Sequence, residues 1–239
     1  MRLVECLFTW KGSIFMQIAI DGPASSGKST IAKMLAKDLG IIYIDTGAMY
    51  RAVTLDLLNH GIDLKNIADI LQRLSSIELT FKRVKEGNLE DQHIFLNQVD
   101  VEDEIRSTKV TQNVSELSAI KEVRDHLVNL QRQLASSDSV VMEGRDIGSV
   151  VLPKADYKFY FTASPEVRAK RRLKDNMERG IDDQDYEAIL QAIKDRDAYD
   201  SNRKNSPLTK AEGAIEIDGS DMTLEEVLVK IKNIIRERN

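Results

Sequence analysis

The segment GPASSGKS at residues 22–29 constrains the fold of this 239-residue chain more than any other stretch. It fits the pattern G-x-x-x-x-G-K-[ST], and it stands between an apolar run at residues 17–20 and a helix-like stretch. In this setting the glycines let backbone N–H groups turn inward around phosphates, Lys28 reaches the terminal phosphates, and the Ser29 hydroxyl is placed to hold Mg²⁺. The segment predicts a P-loop. The alternative is a glycine-rich turn that only links a strand to a helix.

Five short apolar runs predict the strands of one buried sheet. They lie at residues 17–20, 41–44, 140–142, 158–161 and 214–217. Continuous rather than alternating apolar runs, separated by longer periodic segments, suit a parallel sheet with helices on both faces. We therefore predict an α/β fold with a doubly wound five-stranded parallel sheet. Ligands of such sheets bind beyond the carboxyl ends of strands, so the tips at residues 21–22 and 45–47 are candidate site positions.

Residues 77–101 break this pattern, because apolar and polar residues alternate there around a Gly-Asn pair. Alternation on both sides of such a pair predicts an antiparallel hairpin, inserted here between helices. Apolar residues then recur at helical spacing from Val110 to Leu134, which predicts one helix of about six turns.

A strongly basic segment follows the fourth predicted strand. Ser164 is a candidate N-cap, Pro165 suits the first helical position, and Gly180 is a candidate stop. Two more helices are predicted, one ended by Pro207 and one over residues 223–238. The inserted hairpin and the basic helix suggest two covers that close over two ligands, as phosphoryl transfer requires to exclude water.

Composition narrows the classes of function. No apolar run approaches the roughly 20 residues that span a bilayer, so we predict no membrane segment. The 39 acidic residues exceed the 34 basic ones, and a net charge of −5 argues against a nucleic-acid partner. A single cysteine, Cys6, cannot form an internal disulfide, and the three histidines lack metal-ligand spacing. These features predict a cytoplasmic protein without structural zinc.

The first fifteen residues differ from the rest of the chain. They contain its only cysteine and its only tryptophan, and they precede Met16, which opens the first predicted strand. Their apolar centre is short for a signal peptide, and no small-residue cleavage site follows it. We predict that Met16 is the natural start and that residues 1–15 are a non-native or alternative-start extension.

The segment YIDTGAMYRA covers the tip of the second predicted strand. Thr46 is placed to cap the next helix and to bond an anion, and Arg51 lies about one turn farther on. The alternative is an ordinary N-cap followed by an exposed helical arginine.

Two further segments carry charge where a ligand site is expected. VVMEGRDIGSVV places Glu143, Arg145 and Asp146 beside flexible glycines at the tip of the third predicted strand. They suit metal-bound water, a phosphate and a base, and the alternative is a solvated turn. IKDRDAYDSNR places further charged residues on one helical face, where the alternative is a salt-bridge ladder in solvent. These residues are Arg196, Asp200 and Arg203.

A P-loop alone does not distinguish kinases from GTPases and ATP-driven machines. The chain lacks the Asn-Lys-x-Asp tetrad that binds guanine, and it has neither a long Walker-B segment nor an internal repeat.

The arginines of the basic helix first suggest a solvent-exposed face; they include Arg168, Arg171 and Arg172. Their joint presence with the P-loop favours a role in binding the phosphate donor.

The segments IDGPASSGKST, DTGAMYR, EGRDIGSVV and RDAYDSNR occur here in the order and spacing of one family. From about Met16 onward the chain resembles the bacterial cytidylate (CMP) kinases. The resemblance implies a single P-loop kinase domain over residues 16–239. Within it, an NMP-binding insert spans about 63–108 and a helical lid spans about 165–183. It also implies the reaction ATP + CMP → ADP + CDP, with dCMP also accepted and Mg²⁺ required.

The resemblance also assigns roles to individual residues. It places the CMP phosphate on Thr46, Arg51, Arg145 and Arg203, cytosine on Ser115, Arg124 and Asp146, and the ribose on Arg196 and Asp200. It places ATP on Gly22, Pro23, Ala24, Ser25, Ser26, Gly27, Lys28, Ser29 and Thr30 and on the lid arginines Arg168 and Arg172. Ser29 holds Mg²⁺, and Glu143 reaches the ion through water. The residues expected to act in catalysis are Lys28, Arg51, Arg145 and Arg203.

The chain departs from the family pattern at Glu143, where many members carry Asp. The longer side chain keeps the charge but changes its reach toward Mg²⁺. Two other functions stay open on the sequence alone. One is a kinase of the same fold that acts on a different nucleotide or a metabolite, and the other is a regulatory or RNA-associated module that binds ATP without turnover. For the kinase we expect a monomer whose partners are CMP, dCMP and ATP.

Overall fold

The computed structural model describes residues 15–86, 89–178, 180 and 185–238. In chain order its elements are β1 (Gln17–Asp21), α1 (Lys28–Leu39), β2 (Ile42–Asp45), α2 (Thr46–Asn59), α3 (Ile67–Leu74), β3 (Leu79–Glu86), β4 (Leu89–Leu96), β5 (Val99–Asp100), α4 (Thr108–Ala119), α5 (Lys121–Leu134), β6 (Val140–Gly144), β7 (Tyr157–Thr162), α6 (Pro165–Glu178), α7 (Tyr186–Asn202), β8 (Ile215–Asp218) and α8 (Leu224–Arg238). Residues 1–14, most of the predicted extension, lie outside the described residues.

The five predicted strands form one parallel sheet in the order β2-β6-β1-β7-β8. Alternate residues of β1 face opposite sides: Ile18 and Ile20 pack with apolar residues of α1 and α8, whereas Ala19 packs with those of α2 and α5. Each face is therefore covered by helices, which explains why the strands read as continuous apolar runs. The prediction of a doubly wound five-stranded parallel sheet is confirmed.

The insert forms a second, antiparallel sheet of three strands, in the order β3-β4-β5. The predicted hairpin corresponds to β3 and β4, and its Gly87-Asn88 turn lies outside the described residues. Strand β5 was not predicted. It follows a tight turn in which Asn97 and Gln98 have φ values of 47° and 70°, the left-handed geometry that hairpin turns favour. The buried side chain of Ile94 joins the insert to the core.

The prediction of one helix from Val110 to Leu134 was wrong, because α4 and α5 are separate helices. Ile120 between them is extended, with φ −70° and ψ 121°. The Arg124 guanidinium donates to the carbonyl of Ser118 at 3.1 Å, which satisfies a carbonyl that the break leaves without a helical partner. Apolar periodicity continues across the break, so the pattern could not reveal it.

The basic helix α6 begins where it was predicted, since the Val167 amide donates to Ser164 Oγ at 3.3 Å. Its last described turn ends at Glu178, and Gly180 follows with φ +69°. A small apolar cluster that includes Ala169 and Ile193 packs α6 against α7. Helix α7 ends at Asn202 rather than at Pro207, because the next residue is already extended. Within the described part of the chain, no helix is long and apolar enough to cross a membrane.

Candidate active site

Three strand tips meet at the carboxyl edge of the parallel sheet. In the register of the sheet, Asp21 of β1 lies beside Gly144 of β6, and Asp45 of β2 lies beside Glu143. The P-loop, the start of α2 and the loop after β6 therefore converge, as the sequence predicted from the ends of the runs. All three bring charged side chains to one place.

The P-loop has the backbone geometry that phosphate binding requires. Gly22 and Gly27 have φ values of 151° and 90°, and a Cβ at Gly22 would collide with the carbonyl oxygen of Phe161. Glycine is therefore required at residue 22 by both conformation and space. Gly27 leads directly into α1, so the backbone N–H groups at the start of that helix point into the loop. The alternative of a simple linking turn does not account for this arrangement.

Lys28 lies folded beneath the loop. Its Nζ donates to the carbonyl of Pro23 at 3.3 Å and lies 3.7 Å from Oε2 of Glu143. Burial, and then the charge of Arg145, lower the pKa of Lys28 to about 8. The ammonium therefore remains charged at neutral pH, but the nearby carboxylates offset the cost of its burial only in part. An anion that binds beside it is therefore favoured.

Glu143 is the buried counter-charge at this point. Burial, and then the charge of Asp45, raise the pKa of Glu143. The phenol of Tyr43 donates to Oε1 of Glu143 at 2.5 Å, and the Ser29 hydroxyl also bonds this carboxylate. Burial likewise raises the pKa of Tyr43 well above its usual value, so this phenol remains a donor.

The start of α2 differs from the prediction in one respect. Asp45, rather than Thr46, caps the helix, because its carboxylate accepts from the Ala48 amide at 2.9 Å. Thr46 is the first helical residue, and its hydroxyl donates to the backbone carbonyl of Glu143 at 2.7 Å. Thr46 therefore links α2 to the tip of β6 instead of serving as an N-cap.

Arg51 extends from α2 toward the start of α4. Its guanidinium donates to the carbonyl of Ile105 at 3.1 Å and to Thr111 Oγ1 at 2.9 Å. Burial, and then the charges of neighbouring arginines, lower its pKa. The alternative of an exposed helical arginine is wrong, because Arg51 is half-buried and its pKa responds to the charge of Arg196 on α7.

Arg145, Arg196 and Arg203 form one cluster around Asp200. Arg145 donates to Asp200 through Nε at 3.0 Å and to the carbonyl of Gly22 through its guanidinium. Arg196 and Arg203 each approach the same carboxylate at 3.9 Å. The side chain of Asp200 is 4% exposed, so this cluster is not a salt-bridge ladder in solvent.

Two of the three predicted cytosine contacts, Arg124 and Asp146, come together. Arg124, from α5, donates to the carboxylate of Asp146 in a buried ion pair. Its guanidinium carbon lies 5.6 Å from the centre of the Tyr50 ring. Ser115 is half-buried on α4, one helix before Arg124 in the chain.

The lid arginines touch the P-loop directly. Arg168 donates to the carbonyl of Ala24 at 3.4 Å and to Asp197 at 2.6 Å, and Arg172 donates to Ser25 Oγ at 3.2 Å. The alternative of a solvated face is wrong for Arg168, whose side chain is 3% exposed.

Comparison with known proteins decides the family. The family model described as cytidylate kinase matches residues 18–237. A cytidylate kinase of Streptococcus gordonii is 49% identical over 217 residues, which are 91% of this chain and 95% of that protein. One from Caldanaerobacter subterraneus subsp. tengcongensis is 48% identical over 225 residues, covering 94% of this chain and 96% of that protein. The chain belongs to the cytidylate kinase family.

Two residues at the site, Arg106 and Tyr43, were not singled out by the sequence analysis. Arg106 lies 3.8 Å from Asp45 and bonds Glu102, and Tyr43 bonds Glu143. Arg171, which the resemblance did not assign to ATP, donates to the carbonyl of Ser26 at 3.4 Å. Its spacing of three from Arg168 places the two arginines on one helical face. This spacing was the one signal in the sequence that could have assigned Arg171 to the site.

The donor set of the candidate site fits Mg²⁺. Among the described residues, no group of three or more His, Cys, Asp or Glu side chains forms a cage for a metal ion. Ser29 and Glu143 instead offer a hydroxyl and a carboxylate in contact with each other. Mg²⁺ is usually held by a few such oxygens together with substrate phosphates and water, so this pair suits it.

Proposed function

We propose that the protein transfers the γ-phosphoryl group of ATP to CMP and dCMP, forming ADP and CDP or dCDP. The observation that carries this proposal is a cluster of positively charged side chains that repel one another at the carboxyl edge of the parallel sheet. Burial, and then the charge of Arg145, lower the pKa of Arg196 to about 10, and the same two causes lower that of Lys28. Arg51 in turn feels the charge of Arg196. Such a site is stabilised by ligands that carry several negative charges, as two nucleotide phosphates do.

The acceptor occupies the space between the insert, α5 and α7. Its phosphate contacts Thr46, Arg51, Arg145 and Arg203, its ribose contacts Arg196 and Asp200, and its base contacts Ser115, Arg124 and Asp146. The support is that three of these arginines surround Asp200 and that Arg124 pairs with Asp146. Residues from α5, from the loop after β6 and from the end of α7 therefore meet. Because dCMP retains the phosphate and base contacts, it is accepted as well.

The donor lies on the P-loop, residues 22–30, with its phosphates on the backbone N–H groups of the residues other than Pro23 and on the side chain of Lys28. Arg168 and Arg172 close on it from the lid, which their contacts with Ala24 and Ser25 support. Ser29 and Glu143 are the residues that would hold Mg²⁺ there. When bound, Mg²⁺ neutralises charge on the donor phosphates.

The transfer needs no catalytic base. An oxygen of the CMP phosphate attacks the γ-phosphorus of ATP, and an O–P bond forms there. The bond from the γ-phosphorus to the bridging oxygen breaks, and ADP leaves with that electron pair. The attacking oxygen is already anionic near neutral pH, since the second pKa of a phosphate monoester is about 6. Lys28 and the arginines align the reactants and stabilise the spread charge of the transition state.

We expect kcat/KM for CMP to exceed that for UMP by at least about tenfold. Asp146 accepts from the exocyclic amine of cytosine and Arg124 donates to its ring nitrogen, whereas uracil presents the reverse donor and acceptor pattern. Mispairing a buried polar group costs about 1–3 kcal/mol, and about 1.4 kcal/mol corresponds to tenfold. Steady-state kinetics with both nucleotides test this, and Asp146→Asn is expected to narrow the ratio. Equal kcat/KM values for the two would contradict the base contacts.

The first experiment measures ADP formation from ATP and Mg²⁺ with CMP, dCMP, UMP, AMP and GMP in turn. Fast turnover with CMP, or with CMP and dCMP, is the expected result. Turnover with another acceptor would keep the kinase and overturn the cytosine contacts. Binding of ATP without any turnover would favour the regulatory module.

A further inference from the structure

A buried carboxylate ends the first strand and has no part in the nucleotide contacts proposed above. Asp21 is the last residue of β1, and only 3% of it is exposed. It directly precedes Gly22, where the P-loop begins. A buried carboxylate needs hydrogen-bond partners, and those of Asp21 lie on the neighbouring loop, after β6.

Asp21 bonds that loop through both carboxylate oxygens. Oδ1 accepts from the Ile147 amide at 2.6 Å, and Oδ2 accepts from the Gly148 amide at 2.8 Å. These amides come directly after Arg145 and Asp146, and the guanidinium of Arg145 donates to the carbonyl of Gly22. Three hydrogen bonds therefore join the start of the P-loop to the loop after β6.

The geometry requires a carboxylate at this position. Two adjacent amides both donate, so the side chain must offer two acceptors in one plane, which an amide side chain cannot do. The fit is close, because a Cβ on Gly148 would lie 3.3 Å from Oδ2 of Asp21 and 3.2 Å from Cβ of Ala211. Glycine at 148 lets the loop approach Asp21 this closely.

We propose that Asp21 is a positioning residue, which fixes Arg145 and Asp146 relative to the P-loop and so keeps the acceptor in line with the donor. The inference rests on the proposed function in one respect, namely that Arg145 and Asp146 contact the acceptor. Misplacing reacting groups by about 1 Å can lower a rate about a hundredfold, so such a link matters for catalysis more than for folding.

The ionisation of Asp21 provides a readout that is independent of turnover. Burial raises its pKa to about 6, and the charge of Asp146 adds to this, while the two amides and Lys28 oppose it. The other charged or titratable groups near Asp21 and Gly148 are Arg145, Lys158 and Tyr160. Because the folded pKa exceeds the ordinary 3.8, this group's contribution to stability is full below about pH 3.8 and is lost as the pH rises through about 6.

The test compares Asp21→Asn with the unmodified protein at pH 8, where CMP is fully ionised. We expect kcat to fall about 10- to 100-fold and KM for ATP to change less than threefold. The melting temperature of the variant at pH 8 should fall little, because removal of a buried, ionised carboxylate offsets the cost of the mispaired amide. Without substrates, the melting temperature of the unmodified protein should decrease relative to that of the variant between pH 5 and pH 7.5.

A kcat within threefold of the unmodified protein would overturn the proposal, as would a parallel loss of kcat and melting temperature at pH 8. If Asp21→Asn does not fold, Gly148→Ala tests the same contact from the other side, with a lowered kcat and an unchanged KM for ATP expected. Both variants are assayed with whichever nucleotide the unmodified protein phosphorylates. Failure of CMP as acceptor and failure of this inference are therefore distinguished.

Discussion

Replacing Lys28 by Ala is expected to lower kcat by about two orders of magnitude or more. Its ammonium is held between the carbonyl of Pro23 and the carboxylate of Glu143, and in the proposed complex it lies beneath the donor phosphates. Because the site is buried, no water replaces a charge that is lost there. The transition state spreads negative charge over the transferred group, so it loses more stabilisation than the bound substrates do.

The measurement is kcat at saturating ATP, CMP and Mg²⁺, with the melting temperature recorded in parallel. Lys37→Ala is the matched control, because Lys37 lies on the same helix, α1, but is exposed. We expect the control to stay within twofold. A loss below threefold in Lys28→Ala, in a protein that melts normally, would contradict the role of Lys28.

The sequence predicted the features of the fold that depend on local pattern. The P-loop and the five strands follow from glycine spacing and apolar runs, which act over a few residues. The break at Ile120 was missed because it leaves the apolar period intact, and because it is accompanied by a tertiary bond from Arg124 to Ser118. Strand β5 was missed because a strand of two residues is too short to show an alternation of apolar and polar residues.

The sequence analysis named a set of candidate site residues, but it did not predict the hydrogen bonds and ion pairs between them. Arg168 reads as solvated from a basic helix, yet it is buried by the P-loop and by Asp197 from α7. The bond between Tyr43 and Glu143 joins residues 100 positions apart, and Tyr43 reads only as an aromatic residue in a buried strand. Contacts of this kind arise when the sheet brings separate strand tips together, so no local pattern records them.

Replacing Arg145 by Ala is expected to lower kcat by about two orders of magnitude or more as well. Arg145 is the guanidinium that touches both halves of the site, since it bonds Gly22 of the P-loop and Asp200 of α7. In the proposed complex, a charge in this position faces both the phosphate of CMP and the transferred phosphoryl group. Replacing Arg145 by Ala removes a charge that stabilises the transition state. It also removes the hydrogen bond from the loop after β6 to the carbonyl of Gly22 in the P-loop.

The planar fork of Arg145 matters beyond its charge. Lys offers a point charge in its place and cannot bond the carbonyl of Gly22 and the carboxylate of Asp200 in the same geometry. Arg145→Lys is therefore expected to lose about tenfold in kcat, between the unmodified protein and Arg145→Ala. The matched control is Arg236→Ala, an exposed arginine of α8, which should stay within twofold. If Arg145→Ala lost less than threefold while melting normally, phosphoryl transfer would not depend on this guanidinium.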